Sequence, residues 1–250
     1  MRVKILGTPE ELGRAAAEYS ADILNRSIVE RGEARLLLST GASQIDTLKA
    51  LVTMEVDWRR VEIFHLDEYI GLPPNHPASF QRYLKEKIVD IVPLKQVHFV
   101  LSEGDIGQSI AGLAKEIQRA PIDLALIGIG EKAHLAFNDP PADFTTREAY
   151  IIVNLDEDCK RQQVREGWFA SVDDVPAQAI SMSVHEIMQS RVIVSAAPYK
   201  VKARAIKSAL EREVTEWIPA TKLQQHPNVT LFLDTDSASL VDAQVLEKLL

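Results

Sequence analysis

Short apolar runs alternate with longer segments of mixed polarity along most of the chain. Apolar runs of four to eight residues bounded by glycine, proline or polar residues indicate buried strands, and apolar positions spaced three and four apart indicate helices. Strands are predicted at residues 34–39, 61–66, 97–100, 124–127, 149–153, 191–195 and 230–233. Helices are predicted at residues 9–31, 44–54, 79–91, 106–119, 184–189 and 200–210, and from residue 237 onward. Residues 179–183 form one further short apolar stretch.

This alternation of strands and helices predicts the fold class. Alternating elements build βαβ units, which produce a mostly parallel sheet. We therefore predict an α/β fold: a three-layer, Rossmann-like sheet with helices on both faces. A length of 250 residues suits one such domain, residues 1–250, better than two small ones. Ligands of these folds bind at the carboxyl ends of the strands, so candidate site residues are expected there.

Composition and charge narrow the classes of function. With 28 basic and 36 acidic residues the net charge is −8, which argues against a protein that binds nucleic acid regardless of its sequence. An anionic small substrate remains compatible, because local charge decides its binding. No apolar run approaches 18 residues, so no membrane span is expected. The single cysteine, Cys159, rules out an intrachain disulfide and fits a reducing, cytoplasmic location.

The first candidate segment, residues 39–43, lies between a predicted strand and a predicted helix. Its serine and threonine hydroxyls, with Gly41, would place free backbone amides where an anion can bind. The alternative is an ordinary strand–helix loop in which Ser43 caps the helix. Neither the GxGxxG pattern nor the GxxxxGK[ST] pattern is present, so this segment alone leaves both alternatives open.

Two adjacent acids, Asp67 and Glu68, directly follow the predicted strand at residues 61–66. Side chains alternate across a strand end, so one acid can face a ligand while the other makes a structural bond. A carboxylate in a partly apolar pocket can transfer protons as a general base. The alternative is a helix or turn cap that happens to contain two acids.

The most informative stretch is IDLALIGIGEKAHLAFNDP, residues 122–140. An apolar strand ends in Gly128 and Gly130, and glycine allows the backbone to approach a ligand closely. His134 follows and could act as a base, an acid or a ring-opening catalyst. Asp139, five residues later, could orient that imidazole. The alternative for His134 is a histidine that only makes hydrogen bonds within a loop.

Basic residues form the fourth candidate set. Lys200 follows the predicted strand at residues 191–195 and begins a predicted helix, a position from which a phosphate can be held. Arg161 and Arg165 lie in CKRQQVREGWF, where the alternative is a solvent-exposed helix face.

These segments, in this order, resemble the glucosamine-6-phosphate deaminase/isomerase family and its sister group, the 6-phosphogluconolactonases. LSTGAS is similar to the phosphate loop of that family, and FHLDEYIGLPPNHPASF to its DEY-x-GL motif and the HP-x-S that follows. LALIGIGEKAHLAFNDP resembles its G-x-G-x-x-x-H-I-A-FN-E-P motif, and VPAQAISMSVHEIMQSRVIVSAAPYKVKA its VP-x-xA-IT-M-G-x-x-x-I…K segment. The similarity runs from about residue 34 to residue 233, and HLDEYIGL favours the deaminase branch.

The resemblance implies roles for individual residues. Asp67 would move a proton between C2 and C1 of the opened sugar, and His134, partnered by Asp139, would assist ring opening. The phosphate and the rest of the substrate would be bound by residues that match the loop and basic segments: Thr40, Gly41, Ala42, Ser43, Gly130, Lys132 and Lys200. A lid, which we place at about residues 144–180, would add an arginine, either Arg161 or Arg165. No metal or cofactor is implied.

Three positions depart from the pattern of the family. Lys132 stands where the family has an aspartate, Ala133 where it has a glycine, and Asp139 where it has a longer glutamate. At Asp139, the shorter side chain is expected either to fail to pair with the imidazole or to reach it through a bridging water.

The resemblance implies conversion of an amino-sugar 6-phosphate, most simply glucosamine 6-phosphate to fructose 6-phosphate and ammonia. The partner would be a small phosphosugar, and a homo-oligomer is possible. Three alternatives stay open: a 6-phosphogluconolactonase-like hydrolase, a catalytically weak sugar-phosphate-binding protein, and an enzyme for another sugar phosphate such as galactosamine 6-phosphate, with Lys132 binding an additional charge.

Overall fold

A parallel sheet of seven strands runs through the centre of the computed structural model, which describes residues 1–250. The strands of the protein are β1 (Arg2–Leu6), β2 (Ala34–Leu38), β3 (Val61–His65), β4 (Asp67–Tyr69), β5 (Gln96–His98), β6 (Leu124–Ile127), β7 (Tyr150–Asn154), β8 (Gln178–Met182), β9 (Ile193–Ala196) and β10 (Val229–Asp234). The large sheet has the order β1-β10-β9-β6-β2-β3-β5, and a small antiparallel sheet has the order β4-β8-β7.

Helices cover both faces of the large sheet. They are α1 (Pro9–Arg31), α2 (Ile45–Leu51), α3 (Phe80–Leu84), α4 (Ile106–Ile117), α5 (Glu157–Arg165), α6 (Val184–Ile187), α7 (Ala203–Glu211) and α8 (Ala243–Leu249). Strand alternation divides the core, because Leu36 and Leu38 of β2 pack in one apolar cluster with α1, α2 and α3. Leu37 between them packs in a second cluster with α4 and α7. The predicted three-layer α/β fold is therefore confirmed.

Strand β7, helix α5 and the start of β8 lie in the segment that the sequence predicts as a lid, and β4 completes the small sheet from outside that segment. A third apolar cluster joins them to the main body, where the Tyr69 ring packs against the rings of Phe80, Phe137 and Phe169. No helix combines the length and the apolar character needed to cross a lipid bilayer.

The sequence does not predict strands β1 and β4, and it places the start of the last helix too early. In β1, Arg2 and Lys4 face solvent, so its apolar run is interrupted. In β4, two acids occupy a strand that has too few apolar residues to be recognised. The last helix begins at Ala243 and not at residue 237, because Ser237 is held in a turn by three hydrogen bonds with Asp234.

Boundaries differ elsewhere in smaller ways. The predicted helix at residues 79–91 is α3 followed by a π-helical turn, Lys85–Val89. The predicted helix at residues 200–210 begins with a 3-10 turn, Lys200–Lys202, before α7. Helix α5 was not predicted, since its sequence is almost entirely polar.

Candidate functional site

Four neighbouring strands, β9, β6, β2 and β3, end at one cavity of about 220 Å³. The residues that follow these strands line it: Thr40, Gly41, Ala42 and Ser43 after β2, Asp67 after β3, Gly128, Gly130, Glu131 and His134 after β6, and Tyr199, Val201 and Lys202 after β9. Thus the acid, the imidazole and the hydroxyl-rich loop, which are far apart in the sequence, meet at the carboxyl edge of the sheet, as the fold predicts.

The two adjacent acids serve different purposes, as strand alternation predicts. Asp67 lines the cavity, whereas the buried carboxylate of Glu68 points to the start of α3. Glu68 accepts hydrogen bonds from four donors: the backbone amides of Tyr69, Phe80 and Gln81 and the hydroxyl of Ser79. Glu68 therefore joins β4 to α3 and holds its neighbour Asp67 in the cavity wall.

Asp67 is poised for proton transfer by its surroundings. It is only 6% exposed, and burial, reinforced by the charge of Glu68, raises the pKa of the Asp67 carboxyl to about 8. Desolvation disfavours the charged form of a carboxyl group, so this side chain exchanges its proton near neutral pH. Such a pKa is the one expected of a general base or acid working near pH 7.

His134 is seated on the backbone of Gly130. A β-carbon at residue 130 would lie 1.9 Å from Nε2 of His134, so only glycine leaves room for the imidazole. The intervening turn is closed by hydrogen bonds from the Ala133 amide to the Gly130 carbonyl and from the Gly130 amide to the His134 carbonyl. Gly130 therefore acts by making space for the histidine.

Asp139 contacts the imidazole directly in spite of its shorter side chain. Its Oδ1 lies 3.0 Å from Nδ1 of His134, which is ion-pair distance without hydrogen-bond geometry, and both atoms are buried with no hydrogen-bond partner. Burial alone would raise the pKa of Asp139, but His134 and Lys132 outweigh it and hold that pKa below its ordinary value. The carboxylate is thus placed to orient the ring and to stabilise its protonated form.

Three residues at this edge have left-handed backbone although none is glycine. Their φ angles are +58° at Ala133, +52° at Ala136 and +80° at Tyr199. Such conformations cost free energy and cluster at functional sites. Ala136 and Tyr199 line the cavity, and Ala133 immediately precedes His134.

Residues 40–43 form an uncapped turn in front of α2. No side chain caps the turn or α2, so Ser43 is not a helix cap. The amides of Gly41, Ala42 and Ser43 have no protein acceptor and are free for an anion. The Tyr83 hydroxyl of α3 donates to the Gly41 carbonyl over 3.0 Å, which holds the loop in place.

The lysine that lines the cavity is Lys202, not Lys200. Lys200 is exposed and lies outside the wall, whereas Lys202, two residues later in the same 3-10 turn, lies in it. Burial lowers the pKa of Lys202, although nearby Glu166 and Glu131 oppose the shift. Lys202 makes no ion pair or hydrogen bond within the protein, so its ammonium is available to a ligand.

None of Arg161, Arg165 and Lys132 lines the cavity. Arg161 is exposed and pairs with Glu157 of its own helix, so the alternative of a solvent-exposed helix face holds for it. Arg165 reaches back to Glu131 over 2.7 Å, and Lys132 contacts both carboxylate oxygens of Asp156 at 3.1 Å. The last two pairs connect the His134 loop to α5.

The wall on the α5 side is made of residues that sequence reasoning missed: Cys159, Gln162, Gln163, Glu166 and Trp168. The first four recur at helical spacing, i, i+3, i+4 and i+7, and so share one face of α5. This helical spacing is the feature of the sequence from which the wall could have been predicted. No group of three or more histidine, cysteine or acidic side chains is arranged as a metal site.

Comparisons with known proteins place this geometry in a family. The sequence profile of the family described as glucosamine-6-phosphate isomerases/6-phosphogluconolactonase matches residues 7–232. A protein of Thermoanaerobacter pseudethanolicus named glucosamine-6-phosphate deaminase is 34% identical over 257 aligned positions, which cover 100% of this chain and 98% of that protein.

Solved structures give the same placement. The structure of a monomeric glucosamine-6-phosphate deaminase matches with a TM-score of 0.87 at 28% identity, covering 96% of this chain and 100% of the other. A 6-phosphogluconolactonase from Thermotoga maritima shares the fold, with a TM-score of 0.78 at 16% identity and coverage of 93% and 99%. The chain therefore belongs to the glucosamine-6-phosphate isomerase/6-phosphogluconolactonase family.

Proposed function

We propose that this protein converts glucosamine 6-phosphate and water into fructose 6-phosphate and ammonia. The observation that carries the proposal is the meeting of Asp67, His134 and the 40–43 loop at one small cavity. The full-length similarity to a protein named glucosamine-6-phosphate deaminase supports it.

The phosphate is bound by the free amides of Gly41, Ala42 and Ser43 together with Lys202. Backbone amides and an unpaired ammonium supply charge-assisted hydrogen bonds to phosphate oxygens. Lys202 takes the role that the sequence assigned to Lys200, because only Lys202 lines the cavity.

His134 opens the pyranose ring. The imidazole takes the proton of the C1 hydroxyl and delivers a proton to the ring oxygen, which breaks the C1–O5 bond and forms the aldehyde. Asp139 orients the ring through Nδ1 and stabilises the imidazolium that forms between the two transfers.

Asp67 then carries out the isomerisation. Its carboxylate removes the proton from C2 to give an enolamine and returns a proton to C1, which leaves an iminium at C2. Water adds to this carbon and the carbinolamine releases ammonia, leaving the ketone of fructose 6-phosphate. Each step is a proton transfer, an addition of water or an elimination, so no electrons are exchanged with a cofactor.

The environment of Asp67 makes this role pH-dependent. With a pKa of about 8, the Asp67 carboxyl group is largely protonated at pH 7 before substrate binds. A base acts only when it is deprotonated, so kcat/KM for ammonia release is expected to rise with pH and to level off above about pH 8. In the complex, the ammonium group of the substrate lies near Asp67 and favours its carboxylate form. The pH at which kcat is half of its maximal value is therefore expected to be lower than the corresponding pH for kcat/KM.

Asp67→Asn tests the proposal directly. This change keeps the shape of the side chain but removes the base, so ammonia release should fall by about 10²–10⁴-fold. Far-ultraviolet circular dichroism and the affinity for inorganic phosphate serve as controls for folding and for the phosphate loop. Full ammonia release by the variant would rule out Asp67 as the base.

A substrate panel separates the proposal from its alternatives. The panel contains glucosamine 6-phosphate, galactosamine 6-phosphate and 6-phosphogluconolactone, with ammonia and acid release measured in parallel. Lactone hydrolysis without ammonia from either amino sugar would replace the proposed reaction, and binding without turnover of any of the three would leave a sugar-phosphate-binding protein.

A further inference from the structure

Lys202 reaches the cavity through a segment whose backbone is strained. Tyr199, which precedes the 3-10 turn Lys200–Lys202, has φ +80° and ψ 143°. This combination lies close to a region that essentially only glycine occupies, so a tyrosine keeps it only where surrounding contacts enforce it. The Lys202 amide donates to the Tyr199 carbonyl over 3.0 Å, so the orientation of the Tyr199 backbone sets the direction of the turn.

The contact that enforces this backbone comes from Asp234, the last residue of β10. Its Oδ2 accepts a hydrogen bond from the Tyr199 amide at 2.8 Å, and its Oδ1 accepts one from the Ser237 amide at 2.6 Å. Asp234 is only 2% exposed, so water does not compete for these bonds. One buried carboxylate thus ties the strained residue to the turn that follows the neighbouring strand.

Asp234 is itself held in place on both sides. The Asp234 amide donates to the Ser237 hydroxyl at 3.0 Å, which fixes the start of the turn. The next amide, that of Thr235, donates to the Leu6 carbonyl of β1 at 3.0 Å. The carboxylate therefore meets Tyr199 from a rigid position at the edge of the sheet.

Asp234 lies outside the cavity, as do all residues of β10 and of the turn after it. It can therefore affect a ligand only through the residues that it holds, and of these Tyr199 leads to Lys202. A flexible ammonium binds an anion more strongly when its backbone is fixed beforehand, because less conformational freedom is lost on binding.

We propose that Asp234 is a positioning residue for phosphate binding, which enforces the strained Tyr199 backbone and so directs Lys202 into the cavity. Without this carboxylate the Tyr199 backbone rotates to an unstrained conformation, and the turn that carries Lys202 moves with it. The inference rests on the proposed function for the role of Lys202 in phosphate binding.

The test measures the affinity for glucitol 6-phosphate, an open-chain analogue that has no aldehyde and cannot isomerise. Calorimetry compares the wild type, Asp234→Ala, Lys202→Gln and the double variant. Asp234→Ala should weaken binding by about tenfold, the factor expected when a charged hydrogen bond to phosphate is lost. In the Lys202→Gln background the same change should alter the affinity by less than about twofold, because the group that Asp234 positions is already gone. Losses that multiply in the double variant would overturn the inference.

Tyr199→Gly separates the strained backbone from general damage to the turn after β10. Glycine adopts the observed φ and ψ without strain, so it does not need the carboxylate to hold it there. In the Tyr199→Gly background, Asp234→Ala should weaken binding by less than about threefold. A loss of about tenfold in both backgrounds would show that Asp234 acts on something other than residue 199.

Ser237→Ala is the matched control, because it removes the hydroxyl from the turn but leaves the carboxylate that accepts from Tyr199. It should keep the wild-type affinity within about twofold. If Asp234→Ala does not fold, Asp234→Asn takes its place, since asparagine has one acceptor oxygen for two amides. Wild-type affinity in Asp234→Asn would then count against the inference.

Failure of the inference and failure of the proposed function give different results. In an active enzyme, Asp234→Ala should raise KM for glucosamine 6-phosphate by about the factor found in binding, with kcat within about threefold. A fall in kcat without a rise in KM would remove the inference and leave the reaction. Binding that depends on Asp234 through Lys202, without ammonia release by the wild type, would remove the reaction and leave the inference. Equal affinities of the wild type and Lys202→Gln would overturn the inference together with the proposed phosphate site.

Discussion

The two walls of the cavity are built in different ways. The sheet-edge wall, formed by the residues that follow β2, β3, β6 and β9, is held by backbone hydrogen bonds and by buried groups such as Glu68. The lid wall, formed by α5 and the residues up to Trp168, packs on the apolar cluster around Tyr69, whose hydroxyl donates to Gln163 at 2.8 Å. Its links to the His134 loop are exposed or partly exposed ion pairs, Lys132–Asp156 and Arg165–Glu131.

This difference separates chemistry from selectivity. Proton transfer needs groups placed to within a fraction of an ångström, which a buried and hydrogen-bonded edge provides. Discrimination among sugars needs only a charge or a donor at the right place, and a surface helix can supply it. Changes in the sheet-edge wall should therefore reduce turnover, and changes in the lid wall should mainly alter which ligand is preferred.

Among changes outside the catalytic side chains, Gly130→Ala should have the largest effect. The added methyl group would lie 1.9 Å from Nε2 of His134, so the imidazole must leave its seat. A displacement of about 1 Å in a catalytic group costs about 10²-fold in rate, and we expect kcat for ammonia release to fall by at least that factor.

Gly112→Ala is the control for the general effect of replacing glycine by alanine. Gly112 lies within α4, where an added β-carbon meets nothing within 4 Å, so activity should be unchanged and stability should rise by about 0.4–1 kcal/mol. If Gly130→Ala kept activity near the wild-type level, the observed position of the His134 ring against Gly130 would not be needed for turnover.

The buried acid of the sheet-edge wall should make stability depend on pH. The pKa of Asp67 is about 8 in the folded protein against an ordinary value of 3.8, so between these values only the folded state keeps the proton. Wild-type stability, measured against Asp67→Asn, should therefore decrease as pH rises from about 4 to about 8, by roughly 2 kcal/mol or more. Urea unfolding at pH 4, 6 and 9 measures the trend, and a difference that stays constant would contradict burial of a protonated Asp67.

Lys202→Gln should weaken phosphosugar binding by about tenfold or more. A hydrogen bond between a charged group and a phosphate contributes about 1.5–3 kcal/mol, and this ammonium has no other partner. Lys200→Gln is the matched control, since Lys200 is exposed and outside the cavity wall. The affinity for glucitol 6-phosphate distinguishes the two, and equal losses in both variants would show that phosphate is bound elsewhere.

The smallest effect is expected for the pair Arg165–Glu131, which connects the lid wall to the His134 loop. Both side chains are at least partly exposed, so a double-mutant cycle with Arg165→Ala and Glu131→Ala should give a coupling free energy of about 0.2–1 kcal/mol. Ammonia release should change by less than about threefold in Arg165→Ala. A loss comparable to that of Lys202→Gln would place Arg165 on the substrate after all.

The residues of the sheet-edge wall can be predicted from the sequence because each lies within a few residues of a recognisable strand. Asp67 and His134 each follow an apolar strand within a few residues, and parallel strands bring their carboxyl ends together. The division of labour between Asp67 and Glu68 also followed from alternation along a strand.

The residues of the lid wall could not be predicted from the sequence in this way. Helix α5 has hardly any apolar residues to reveal its period, and neither of its arginines lines the cavity. The choice between Lys200 and Lys202 depends on the left-handed backbone at Tyr199, which turns the chain before both residues and which no propensity predicts.

The short helix α3 links the two functional parts of the sheet-edge wall. Its first turn holds the Glu68 carboxylate, and its Tyr83 hydroxyl holds the Gly41 carbonyl. Directed evolution toward another sugar would therefore lose both the base and the anion loop if its libraries included α3. Diversity restricted to the cavity-facing positions of α5 would leave the chemical machinery intact while exploring new specificities.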